Sequence, residues 1–182
     1  IENSVAAVAS MWCAARSRGE ALDEDKLRQG LAQYSGVKRR FEFYINTPRQ
    51  VYMDDYAHHP EELEATITSV RKMFPGREIT AVFQPHLYTR TRDFATEFSE
   101  VLSMADRVLM VPIYPARELP IEGVTSELIG RNLTTEWQMV ERDDIASTLK
   151  SLDTDVVVTF GAGNIDVVCS AVAETLKDKC NR

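Results

Sequence analysis

The sequence predicts an α/β fold, a Rossmann-like, mostly parallel sheet with helices on both faces, and three observations predict it. Strand-type and helix-type periodicities alternate along most of the 182 residues. The runs at 79–83 and 155–160 are too apolar to be half solvated, as strands covered on both faces must be. Clusters of polar and ionisable residues stand where strands run out, at 53–60 and 83–92, the edge at which open α/β sheets bind ligands.

The elements follow in chain order. Residues 3–17 read as one helix. A second follows, with Asp23 as N-cap, Leu27, Leu31 and Tyr34 on one face, and Ser35-Gly36 as the stop. After the short basic connector Val37 to Arg40, Phe41, Phe43 and Ile45 alternate with Glu42 and Tyr44 as a strand does. The apolar run Val51-Tyr52-Met53 forms the next strand. Pro60 opens a helix with Glu61 and Glu62 set against its dipole and Leu63, Ile67, Val70 and Phe74 as its apolar stripe, ended by Pro75-Gly76. The strand Ile79 to Phe83 leads through the second polar cluster into a helix with Phe94, Phe98, Val101 and Leu102 inward. A strand from Arg107 to Val111 comes next. The loop Pro112 to Thr125 precedes a short helix, a weak strand near Trp137 to Val140, and a helix over Asp143 to Leu152. The last strand, Asp155 to Phe160, delivers the turn Gly161-Ala162-Gly163-Asn164 into a closing helix built on Ile165, Val168, Val172 and Leu176.

Composition narrows the function. With 28 acidic against 21 basic residues the net charge is -7, which argues against sequence-independent binding to nucleic acid or an anionic membrane. Cys13, Cys169 and Cys180 are odd in number and widely spaced, unlike a disulfide framework or a zinc knuckle, and suit a reducing cytosol. No stretch approaches the roughly 20 apolar residues that span a bilayer, and the start lacks the grammar of a signal peptide. The chain begins inside helical sequence with no initiator methionine and no cap, as a piece of a larger protein would.

The polar clusters admit several readings. Asp54, Asp55, His58 and His59 are chemically able to ligate a metal. They are equally able to cap the helix at Pro60 and pack locally, or to present a carboxylate to the sugar hydroxyls of a nucleotide. Arg90 and Arg92 flank Thr91 just ahead of the expected helix, where guanidinium and helix N-terminus would converge on a carboxylate or phosphate; plain solvation is the alternative for both. Gly161 to Gly163 falls short of a full phosphate-binding glycine pattern, because Asp166 stands where the third glycine would fall.

Together, Gly36-Val37-Lys38-Arg39-Arg40-Phe41, Asp54-Asp55-Tyr56-Ala57-His58-His59-Pro60, Phe83-Gln84-Pro85-His86 with Tyr88-Thr89-Arg90-Thr91-Arg92, and Gly161-Ala162-Gly163-Asn164-Ile165 resemble the carboxyl-terminal third of the Mur ligase family, across essentially the whole chain. The resemblance implies a three-domain, cytoplasmic, ATP-dependent ligase. Residues 1–36 would be the last helices of the central ATP-binding domain and 37–182 the Rossmann-like domain that closes over the site. No G-K-T or G-K-S is present, so the phosphate-binding lysine and the Mg2+ ligands would lie in a part of the protein not in this chain. The branch resembled joins L-alanine to UDP-N-acetylmuramate, through an acyl phosphate, in peptidoglycan precursor synthesis.

By the same resemblance Asn3 recognises the adenine edge, Arg40 reaches the γ-phosphate and Asp55 holds the ribose. Tyr56, His58, His86, Arg90 and Arg92 serve the amino-acid pocket, with Arg90 on the alanine carboxylate and with Arg40 and His58 as the catalytic candidates. Tyr114, Arg117 and Glu118, from the long loop, would close that pocket. Leu87 stands where many relatives carry a second arginine, so the carboxylate clamp rests on Arg90 alone or with Arg92. The alternatives are a recycling ligase that adds a tripeptide to the same sugar nucleotide, and a non-catalytic nucleotide-binding module.

Overall fold

The computed structural model describes residues 2–34 and 36–180, with the side chains of 4–34 and 36–179. The chain divides into two compact units, Ile1–Gly36 and Val37–Arg182. The first is a helix pair, α1 (Glu2–Ser17) and α2 (Glu24–Gln33). Asp23 caps α2 by accepting a hydrogen bond from the Lys26 backbone N–H at 3.0 Å. None of the residues of α2 is buried, and Val5, Met11, Trp12, Leu31 and Tyr34 stand exposed, so two helices alone do not enclose a core.

The second unit carries a six-stranded sheet ordered β1 (Glu42–Asn46), β2 (Val51–Asp55), β6 (Val156–Phe160), β3 (Ile79–Phe83), β4 (Arg107–Met110), β5 (Glu136–Met139). Only β1 runs antiparallel; every other pairing is parallel. The strands β2, β3 and β6 are buried at every position, as expected of strands covered on both faces. Alternate side chains divide between two layers. Val51, Met53, Ala81, Phe83, Val158 and Phe160 pack with Leu63, Ile67 and Val70 of α3 (Pro60–Met73) and Phe98 and Leu102 of α5 (Ala95–Leu102). Tyr52, Val82, Leu109 and Val157 pack with Ile145 and Leu149 of α7 (Ile145–Ser151) and Cys169, Val172 and Leu176 of α8 (Cys169–Cys180).

The crossover from β2 to β3 steps over β6, and the chain returns from β5 through α7 to fill that gap. Loops leaving β6 and its two neighbours therefore depart toward opposite faces, which opens a crevice at their carboxyl ends. The register sets Asp55, Phe160, Phe83 and Met110 side by side at that edge.

The expected fold class holds, with three local differences. The helix foreseen around Phe94 to Leu102 is two helices, α4 (Tyr88–Asp93) and α5, separated at Phe94, whose φ of -121° and ψ of 21° break the run. Tyr88-Thr89-Arg90-Thr91-Arg92 therefore lies inside a short helix of its own, α4, immediately ahead of α5. Short 3-10 turns, Arg142–Asp144 and Ile165–Val168, precede α7 and α8, and α6 is the single turn Glu127–Gly130. Among the described residues no helix is long and apolar enough to cross a membrane.

Candidate functional site

The crevice is built from the segments that leave β2, β3, β4 and β6. Asp54 lies on the same sheet face as Tyr52, fully buried, and a buried carboxylate requires donors. It accepts from the Thr159 hydroxyl at 2.7 Å, its register neighbour on β6, and from Arg39 Nε at 3.1 Å. The same guanidinium donates to the carbonyls of Gly161 and Gly163 and lies 5.0 Å over the Tyr56 ring. Arg39 thus fastens the segment ahead of β1 to the glycine turn. Forming that clasp places Arg39 and Phe41 in the left-handed region, at φ 59° and 47°, which costs of order 1–2 kcal/mol for each residue.

Asp55 receives the backbone N–H groups of Phe41 and Ala57, both at 2.9 Å. Burial raises its carboxyl above the ordinary value, against the pull of those two donors and of the Arg40 guanidinium. A cavity of about 220 Å³ opens beside it, lined by Arg40, Phe41, Asp55, Tyr56, Glu62 and Thr66. The Arg40 side chain is exposed and lines that cavity together with Asp55.

His86 follows β3, beyond Pro85. Its backbone is pinned by bonds from Leu87 N to Tyr114 O at 3.0 Å and from Tyr114 N to Pro85 O at 2.8 Å, and its ring stacks on Tyr114 at 5.8 Å. Leu87, at φ 73°, turns the chain sharply into α4. Within α4 the Thr91 hydroxyl donates back to Leu87 O, and Glu118 accepts from the Thr89 N–H and hydroxyl, which ties the long loop to the helix start. Three buried side-chain atoms have no partner among the described residues: Gln84 Oε1, His86 Nδ1 and Arg90 Nη1. Orphaned buried polar atoms cost free energy, so their grouping on the segment that leaves β3 and on α4 marks a place built for something else to complete.

His58 stands edge-on to His86 at 5.9 Å and to Tyr56 at 5.3 Å, with its Nδ1 3.1 Å from Glu62 Oε2. Burial, then the Arg90 guanidinium and the His58 ring, hold the His86 imidazole below its ordinary value, with Glu118 opposing. The glycines of the turn after β6 are required by closeness. A Cβ on Gly161 would meet Gln84 O at 2.8 Å, and one on Gly163 would meet Gln84 Oε1 at 2.5 Å and Tyr114 Cβ at 2.6 Å.

The sequence-predicted residues divide accordingly. The structure brings Asp55, Arg40 and Tyr56 to one cavity, and His58 and His86 to one ring cluster with Tyr114, while Arg90 joins them electrostatically. Arg92 is exposed and paired with Asp93 at 2.7 Å. His59 packs against Phe94 at 4.7 Å. Arg117 is exposed, and Glu118 is engaged by Thr89. The side chain of Asn3 lies outside the described residues. Among those described, no group of three or more His, Cys, Asp or Glu side chains is placed to hold a metal. Sequence reading passed over Arg39; its signal was Asp54, a carboxylate on a buried strand face that has to be answered by a cation.

Comparison with known proteins bears on this geometry. A family profile described as "Mur ligase, glutamate ligase domain" matches residues 39–163. The chain is 44% identical over 181 residues to UDP-N-acetylmuramate–L-alanine ligase of Phocaeicola vulgatus, covering 98% of this chain and 38% of that protein. It is 45% identical over 182 residues to the ligase of the same name from Porphyromonas gingivalis, covering 99% and 39%. The chain therefore spans about two fifths of the length of these curated relatives. Among solved structures, UDP-N-acetylmuramate–alanine ligase of Thermotoga maritima superposes with a TM-score of 0.68 at 23% identity, over 92% of this chain and 36% of that one. A folylpolyglutamate synthase from the same organism gives 0.62 at 21% identity, over 97% and 38%. At such identities these two likenesses speak to the fold alone.

Proposed function

The chain belongs to the Mur ligase family, and on that premise we propose that it is the closing domain of a cytoplasmic, ATP-dependent ligase that joins L-alanine to UDP-N-acetylmuramate in peptidoglycan precursor synthesis. The relatives that align over nearly its whole length bear that enzyme's name. One observation carries the reading into the geometry: His86 Nδ1 and Arg90 Nη1 are buried without hydrogen-bond partners among the described residues. A neutral imidazole offers an acceptor nitrogen and a guanidinium only donors. A zwitterionic amino acid answers both, with its ammonium and its carboxylate.

The chemistry assigns work to each group. A carboxylate does not acylate an amine at neutral pH, so the lactyl carboxylate of the sugar nucleotide first takes the γ-phosphoryl group of ATP, and the amine of alanine then displaces phosphate. Arg40 faces the developing charge on the transferring phosphoryl. Asp55, fixed by two backbone donors, keeps lone pairs free for the ribose hydroxyls beside the 220 Å³ cavity. Asn3 is assigned to the adenine edge. Arg90 takes the alanine carboxylate and, with Arg92 committed to Asp93, takes it alone. His58 and Tyr56 complete the wall. Among the described residues no side-chain group fits a metal site, so the Mg2+ that accompanies ATP is assigned to protein beyond them and no step here runs through it. With neither that metal nor a phosphate-binding lysine, the 182 residues by themselves are expected to release no ADP.

The test is ADP release by the full-length parent with UDP-N-acetylmuramate and ATP, offering L-alanine or the tripeptide. Turnover with alanine and not with tripeptide supports the reading. Turnover with tripeptide alone assigns the recycling reaction, and ATP binding without turnover on either amine assigns a nucleotide-responsive module.

A further inference from the structure

We propose that His86 is the proton acceptor that converts the incoming amino acid from ammonium to free amine. The inference rests on the ligase reading above and names a residue for a step that this reading leaves without one. An ammonium nitrogen has no lone pair, and amino acids arrive at neutral pH largely in that form. Some group must remove a proton before the nitrogen can attack the acyl phosphate.

Several observations select His86. Its Nδ1 is buried and has no hydrogen-bond partner among the described residues. The backbone on both sides is pinned to Tyr114 and the ring is stacked on the Tyr114 ring at 5.8 Å, so its orientation is set by packing. The groups facing it come from three segments: Arg90 from α4, His58 from the loop after β2, and Tyr114 and Glu118 from the loop after β4. Burial, then the Arg90 guanidinium and the His58 ring, favour the neutral, accepting form of the ring, outweighing Glu118. The His58 Nδ1, by contrast, already stands 3.1 Å from both Glu62 Oε2 and Tyr56 O. Arg90, four residues along, anchors the carboxylate and brings the ammonium toward the ring.

The step balances. One ammonium proton passes to His86 Nδ1, giving imidazolium and a free amine. The nitrogen lone pair forms the C–N bond at the acyl carbon, and the C–O bond to phosphate breaks with its electron pair leaving on oxygen. The second nitrogen proton departs with phosphate as hydrogen phosphate, and the imidazolium returns its proton to solvent.

Hydroxylamine separates this role from the others, because its nitrogen is already unprotonated at neutral pH and it traps the acyl phosphate as a hydroxamate. In the full-length ligase, His86→Gln should lower alanine-dependent turnover at neutral pH by about 10²- to 10⁴-fold, the usual contribution of a positioned base. Hydroxamate formation should stay within about threefold of wild type, and the alanine defect should shrink as pH rises and free amine accumulates. His86→Asn, which shortens the side chain, should behave alike. Equal loss of both reactions in both variants, or retention of alanine turnover in His86→Gln, overturns the assignment. A wild-type enzyme that releases no ADP with UDP-N-acetylmuramate, ATP and L-alanine overturns the ligase reading itself, and this inference with it.

Discussion

Replacing Arg39 by alanine removes the clasp between the segment ahead of β1 and the glycine turn. Asp54 Oδ2 then loses its charged partner at 3.1 Å, which leaves the fully buried carboxylate with the Thr159 hydroxyl and no cation among the described residues. The carbonyls of Gly161 and Gly163 lose their donor as well. The Arg39 side chain is itself only 17% exposed, so water repairs little of this loss. Breaking a buried pair from one side costs about 3–5 kcal/mol, chiefly the desolvated charge left behind. With a urea dependence of about 2 kcal/mol/M, the unfolding midpoint should fall by about 1.5–2.5 M. The assay is equilibrium urea unfolding of the 182-residue chain followed by circular dichroism, with Arg92→Ala as the exposed-pair control. Arg39→Met combined with Asp54→Leu should be less destabilised than the two single changes summed, because it leaves no orphaned charge. A midpoint shift for Arg39→Ala under about 0.5 M, the scale of an ordinary surface pair, would refute the reasoning.

Gly163→Ala drives a methyl group into Gln84 Oε1 and Tyr114, and the overpacking should cost about 1–3 kcal/mol, visible as a lower unfolding midpoint. Arg40→Ala in the full-length enzyme should lower kcat more than it weakens sugar-nucleotide binding; equal losses would mean that Arg40 only supports the fold. Alkylation mapped by mass spectrometry should modify exposed Cys13 and spare Cys169, whose buried thiol is pushed up to about 11 and stays protonated at neutral pH.

Much of the fold is legible in the sequence because burial on both sheet faces leaves a plain record. Val156-Val157-Val158-Thr159-Phe160 and Ile79-Thr80-Ala81-Val82-Phe83 have little choice but to be interior strands, and Pro60 with two following glutamates announces its helix. What is not legible depends on conformations and partners that no local pattern encodes. Arg39 is bonded to a carbonyl 122 residues away through a left-handed backbone, so nothing nearby in sequence distinguishes it from Arg40. Leu87 likewise adopts a left-handed conformation that only its neighbours' packing imposes, and that turn is what carries Arg90 and Arg92 into α4. Once helical, Arg92 finds Asp93 beside it, while Arg90 Nη1 is left buried with no hydrogen-bond partner among the described residues. The grouping of His58, His86 and Tyr114 follows from the order of β2, β6 and β3 in the sheet, a long-range fact that motif spacing implies only through resemblance.

The account turns on Arg90 holding the carboxylate of the incoming amino acid. The most direct measurement is the KM for L-alanine of the full-length enzyme, wild type against Arg90→Ala. Loss of a hydrogen bond to a charged group, worth about 1.5–3 kcal/mol, predicts a rise of about 10- to 100-fold with the KM for ATP little changed. An alanine KM within about twofold of wild type would contradict it.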